Sequence, residues 1–102
     1  MAKVYEYIVA QKNAKIPYDS SKFVNKEVII KLLKHMDAEF IVAEKDNTIS
    51  RTLVTLRKDI VGLQESHEVD PNSEHIWAWK VVEREWKKYD LRQLKNCNFI
   101  EI

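Results

Sequence analysis

The sequence predicts an α+β domain: a small five-stranded β-barrel over residues 38–102, preceded over residues 1–37 by an N-terminal strand and one amphipathic helix. Three observations carry this prediction. Apolar residues recur at helical spacing up to about residue 36 and at alternating spacing after Ala38, and the two periods belong to helix and strand respectively. Beyond residue 38, short runs rich in β-branched and aromatic types are separated by turn-forming residues, the pattern of a small all-β unit. Finally, 102 residues that are 45% hydrophobic, with one Gly and two Pro, leave material for one modest core and no linker. Residues 1–102 are therefore expected to form a single domain.

Taken in order, Lys3-Val4-Tyr5-Glu6-Tyr7-Ile8-Val9 reads as a short strand, ended by the Asn13 to Tyr18 segment with Pro17. Ser20 or Ser21 is placed to cap a helix. Phe23, Val24, Val28, Leu32 and Met36 then mark its apolar side, with Lys22, Lys26, Lys31 and Lys34 on the wet side. Residues 38–44 and 49–56 form a hairpin around Lys45-Asp46-Asn47-Thr48, because Asp and Asn tolerate the positive φ of a tight turn. Residues 57–63 suit a single helical turn ending at Gly62, and residues 64–75, with Asp70-Pro71-Asn72-Ser73, read as a polar loop. A second hairpin runs from His75 to Val82 and from Trp86 to Leu91, turning at Glu83-Arg84-Glu85. A turn over Arg92 to Asn96 leads to a closing strand at Asn98 to Ile102.

The longest apolar runs, Val28 to Ile30 and Phe40 to Ala43, are far shorter than the roughly 20 residues a membrane-spanning helix requires. The N-terminal stretch lacks the long apolar region of a secretion signal. One cysteine, Cys97, allows no internal disulfide and no multi-cysteine metal site, so a reducing cytoplasmic setting is expected. The net charge of +1 is unevenly spread: +4 over residues 1–36, −5 over 37–76 and +2 over 77–102. A generic polyanion-coating protein would be basic throughout, whereas this distribution allows a basic face opposite an acidic one.

The order of the C-terminal elements carries a resemblance. Phe40-Ile41-Val42, Lys45-Asp46-Asn47-Thr48, Thr55-Leu56, Ile76-Trp77-Ala78-Trp79 and Trp86-Lys87-Lys88-Tyr89 follow one another over residues 40–102. Together they resemble a small WYL-like family of phage and bacterial proteins with an Sm-like SH3 barrel. Asn47 stands where that pattern has a turn Gly, and residues 1–37 lie outside it. The resemblance implies an SH3/Sm-like barrel, a phage-type protein acting in the host cytoplasm, and binding rather than catalysis. The barrel type hosts nucleic-acid binders, peptide readers and structural modules alike.

No nucleophile–base pair, paired carboxylates or metal-ligand spacing stands out, so no enzyme activity, metal or cofactor is expected. His35, His67 and His75 form no recognised metal motif. Cys97 has Lys95 nearby, a neighbour that can lower a thiol pKa, but a lone cysteine beside a strand is usually a small buried hydrophobe. With Gly62 alone, a glycine-rich phosphate loop is excluded.

The leading candidate is the second hairpin, where Trp77, Trp79, Trp86 and Tyr89 are interleaved with basic residues. Aromatic faces stack on unpaired bases and cations neutralise phosphates. DNA or RNA binding with little sequence preference is therefore expected at Trp79, Lys80, Arg84, Trp86, Lys87, Lys88, Tyr89 and Arg92. Alternation puts Trp77 and Trp79 on one face with Val81, and Ala78, Lys80 and Val82 on the other. The Trp-bearing face fits either a ligand platform or the barrel core, with Trp86 the aromatic expected to be most exposed. The alternative function is that of an adaptor or inhibitor of a host protein. It would use the helix series Val28, Leu32 and Met36, or the acidic stretch Glu65, Glu68, Asp70 and Glu74. The strand at residues 3–9 is also a potential edge for pairing two chains.

Overall fold

The computed structural model describes residues 3–9, 23–61 and 73–101. In chain order these form β1 (Val4–Val9), β2 (Phe23–Val24), α1 (Lys26–Leu33), β3 (Asp37–Ala43), β4 (Ile49–Thr55), α2 (Lys58–Val61), β5 (His75–Lys80), β6 (Glu85–Asp90) and β7 (Leu94–Ile100). All strands belong to one sheet in the order β2-β1-β7-β3-β4-β5-β6. Every neighbouring pair is antiparallel except β1 and the two-residue β2, which run parallel. The domain is α+β, as expected. No helix among the described residues is long and apolar enough to cross a membrane.

The five strands expected to form a barrel are consecutive in the sheet, as β7-β3-β4-β5-β6. The sheet is strongly rolled. In a flat sheet β3 and β6, three strands apart, would be separated by about 14 Å. The rings of Phe40 on β3 and Tyr89 on β6 instead meet edge-on at 5.1 Å. The fold-over lies between β4 and β5, which share only the pairs Val54–Lys80 and Thr55–Trp79. Rolling does not end in closure: among the described residues the sheet is open, and a closed five-stranded barrel is not formed. A ring would require β6 to pair with β7, but the free edge of β7 is taken by β1, from Val4–Ile100 to Ile8–Asn96. The N-terminal strand is thus an integral part of the sheet. Its one edge bonds β7 along Val4 to Ile8, and on its other edge β2 pairs with Ile8 and Val9.

The inner face of the rolled sheet holds the core. Val9, Ala38, Phe40, Val42, Val54, Ile76, Ala78, Tyr89, Leu94, Cys97 and Phe99 pack there with Ile29 and Leu33 of α1. The helix differs from its expected extent. It begins after Asn25, whose side chain accepts a hydrogen bond from the Val28 amide at 3.1 Å and so satisfies one of the free N–H groups of the first turn. Ser20 and Ser21, expected as the cap, lie outside the described residues, and Phe23 and Val24 belong to β2. After three intervening residues the chain enters β3 at Asp37, and the Leu56 amide donates to the Leu33 carbonyl to tie the helix end to the end of β4.

The first hairpin turns as expected at Asp46 and Asn47. Asn47 takes φ 67°, and Asp46 Oδ1 accepts from both the amide and the hydroxyl of Thr48. The second hairpin turns through Arg84, also left-handed at φ 57°. The expected helical turn is α2. At its start Arg57 donates through Nε to Asp37 of β3 at 2.9 Å, both side chains being mostly shielded from solvent. The closing strand starts earlier than expected, at Leu94 rather than Asn98.

Candidate nucleic-acid interface

The hairpin β5–β6 places its side chains by simple alternation. In an antiparallel pair, residues directly opposite share a face. The register sets Ile76 against Tyr89, Ala78 against Lys87 and Lys80 against Glu85 on the inner face. His75 against Asp90, Trp77 against Lys88 and Trp79 against Trp86 lie on the outer one. Ile76, Ala78 and Tyr89 are buried, which identifies the core side, while the three tryptophans are half-buried on the opposite side. The core contains no tryptophan among the described residues. Of the two readings open at the level of sequence, the core reading is therefore corrected: Trp77, Trp79 and Trp86 share the outer face. Trp86 is half-buried like the other two.

On that face Trp79 and Trp86 meet edge to face, with ring centroids 5.5 Å apart and planes at 79°. Beside them the Lys88 ammonium lies over the Trp77 ring, 5.9 Å from its centroid, a cation–π arrangement that holds the charge at the aromatic surface. Trp77, which the sequence-derived set of eight omitted, thus stands beside the tryptophan pair. Its position two residues from Trp79 was the available signal.

The remaining expected residues divide. Tyr89 is a core residue, 3% exposed, and offers no face to a base. Burial pushes its phenol up to about 12, with Thr52 on the opposing wall of the fold pulling weakly the other way, and its hydroxyl is enclosed without a well-formed hydrogen bond. Lys80 lies on the inner face, paired with Glu85 at 3.3 Å. Lys87 is exposed but also belongs to the inner face, 5.2 Å over the Tyr89 ring. Arg92 is gripped by Asp90 through two parallel contacts of 3.0 and 2.8 Å and by Glu74 at 3.1 Å. This holds the Asp90 carboxyl below its ordinary range and raises Arg92 further. Lys88 on the outer face and Arg84 at the turn remain as exposed bases.

The protein-binding set fares differently. Ile29 and Leu33, not the expected series, form the buried face of α1, and Leu32 and Met36 pack against the core while Val28 is 38% exposed. The helix docks on its own sheet. Glu74 is engaged by Arg92, and Glu65, Glu68 and Asp70 lie outside the described residues, as do His67 and Gly62. Cys97 is fully buried in the core, and burial pushes its thiol up to about 12, outweighing any effect of Lys95.

A separate open depression of about 400 Å³ lies between the β3–β4 turn and the turn before β7, lined by Glu44, Lys45, Asp46, Thr48 and Gln93. Its carboxylates are committed within the chain: Glu44 accepts from Ser50 and Asp46 from Thr48. Among the described residues no cluster of three or more His, Cys, Asp or Glu side chains is grouped to hold a metal ion. No protein-family model, curated protein or solved structure matches the chain.

Proposed function

We propose that the protein is a small non-enzymatic regulatory binding protein of phage type that takes unpaired nucleic acid on the outer face of the β5–β6 hairpin. One observation carries the reading: all three tryptophans of the chain lie on that face rather than in the core, with Lys88 over one of them. Partly exposed aromatic side chains gathered on one face form the kind of apolar patch that marks an interaction surface. Base–aromatic stacking contributes about 1–3 kcal/mol per base without demanding a particular sequence, and a neighbouring cation neutralises phosphate. The resemblance to the WYL-like family with an SH3/Sm-like barrel, and with it a host-cytoplasmic setting, supports the same kind of role. The rolled five-strand segment is compatible with an open variant of that scaffold.

Fluorescence anisotropy of labelled single-stranded DNA and RNA at about 50 mM salt tests the reading. Saturable binding by the unaltered protein is expected. The double variant Trp86→Ala, Lys88→Ala should weaken it at least tenfold with unchanged circular dichroism. Val82→Ala, at a turn position 75% exposed, should leave it intact. Equal binding by both variants would remove the site from this face. No binding by the unaltered protein would favour the host-protein adaptor instead.

A further inference from the structure

Resting on that reading, we infer that the ligand is a short unpaired strand, with about two bases stacked at a time, and that stacking rather than phosphate neutralisation holds it. Two features of the outer face lead there. The first is the number of stacking stations. Trp77 and Trp79 are two residues apart on one strand, hence about 6.7 Å apart along it, roughly double the 3.4 Å rise of a stacked strand. A nucleotide chain must be unstacked and extended to match that spacing. Trp86, directly opposite Trp79 and edge-to-face with it, covers part of one ring with the other, so the pair counts as one station; Trp77, with Lys88 over its ring, is the second. A duplex keeps its base faces inside and cannot use either.

The second feature is charge. The hairpin and its flank hold five bases, Lys80, Arg84, Lys87, Lys88 and Arg92, but they do not act together. Lys80 is paired with Glu85 and Arg92 with Asp90 and Glu74, and Lys87 belongs to the inner face. Lys88 and Arg84 are left to meet phosphates, an effective count of about two. For single strands the logarithmic salt slope is about −0.7 per neutralised phosphate. Two contacts give a slope near −1.4, whereas five would give about −3.5. Between about 50 and 200 mM salt these correspond to affinity losses of roughly sevenfold and more than a hundredfold.

The test is a series of oligothymidylates and oligouridylates of two, four, eight and twelve nucleotides, with a duplex of twelve pairs, competed against a labelled strand at both salt concentrations. The expected result is affinity that stops rising beyond four nucleotides once the number of overlapping positions is allowed for. It should fall about sevenfold over the salt range, with the duplex at least tenfold weaker. Trp77→Ala should cost about tenfold and Trp77→Phe far less, since a smaller ring still stacks. Affinity that climbs through twelve nucleotides and falls more than a hundredfold with salt would overturn the inference while leaving nucleic-acid binding in place. Duplex binding as strong as single-strand binding would do the same. Absence of any competition or direct binding would overturn both.

Discussion

Cys97 and Tyr89 are the two side chains whose ionisation the fold alters most plainly. Both sit in the core, and burial disfavours the charged thiolate and phenolate, raising each group to about 12 from ordinary values of 9.0 and 10.0. The folded protein therefore binds these protons more tightly than the unfolded chain. The associated stability is fully present below pH 9 and is lost progressively between about pH 9 and 12 as the unfolded state deprotonates first. Denaturant unfolding across that range should show the decline, and Cys97→Ala with Tyr89→Phe should flatten it; an unchanged slope would contradict the burial of these groups. In the native state Cys97 should also resist a thiol reagent at pH 8 and react only on unfolding. Sequence pointed correctly to a buried cysteine. It placed Tyr89 among the ligand residues because the one-letter pattern Trp-Lys-Lys-Tyr does not say which alternate face is inside, and only the pairing of Tyr89 with Ile76 across the hairpin decides that.

Elements set by local chemistry were legible, and those set by distant partners were not. Asp46 and Asn47 fixed the first hairpin because a left-handed turn position and an Asp side chain bonding two residues on are properties of those residues themselves. The start of α1 was misread because Phe23 and Val24 continue the helical spacing. Their recruitment into β2 depends on Ile8 and Val9, fifteen residues earlier. The same shift changed which helix face is buried. Leu33→Ala, which removes a fully buried side chain, should cost about 2–5 kcal/mol in urea unfolding, while Val28→Ala should stay within about 0.5 kcal/mol. The reverse order would restore the Val28, Leu32, Met36 stripe as the buried face and contradict the packing described.

At the scale of the molecule, the alternating strands foretold a β-rich domain with a leading helix, and the roll of the sheet brings β6 over β3 much as a barrel would. What the sequence could not convey was the occupant of the last edge. A strand at residues 3–9 looks the same whether it is an extension or the neighbour of β7, and that choice leaves the sheet open instead of ringed. The same architecture turns the tryptophans outward: with Ile76, Ala78 and Tyr89 filling the inner face, alternation leaves Trp77, Trp79 and Trp86 on the other. Because these are all the tryptophans in the chain, emission excited at wavelengths that tyrosine does not absorb arises from the proposed site. Titration of the unaltered protein with an unpaired oligonucleotide should quench that emission saturably, with the same dissociation constant as anisotropy gives. Emission that stays constant while anisotropy reports binding would place the ligand elsewhere, and constant emission without binding would contradict the nucleic-acid role itself.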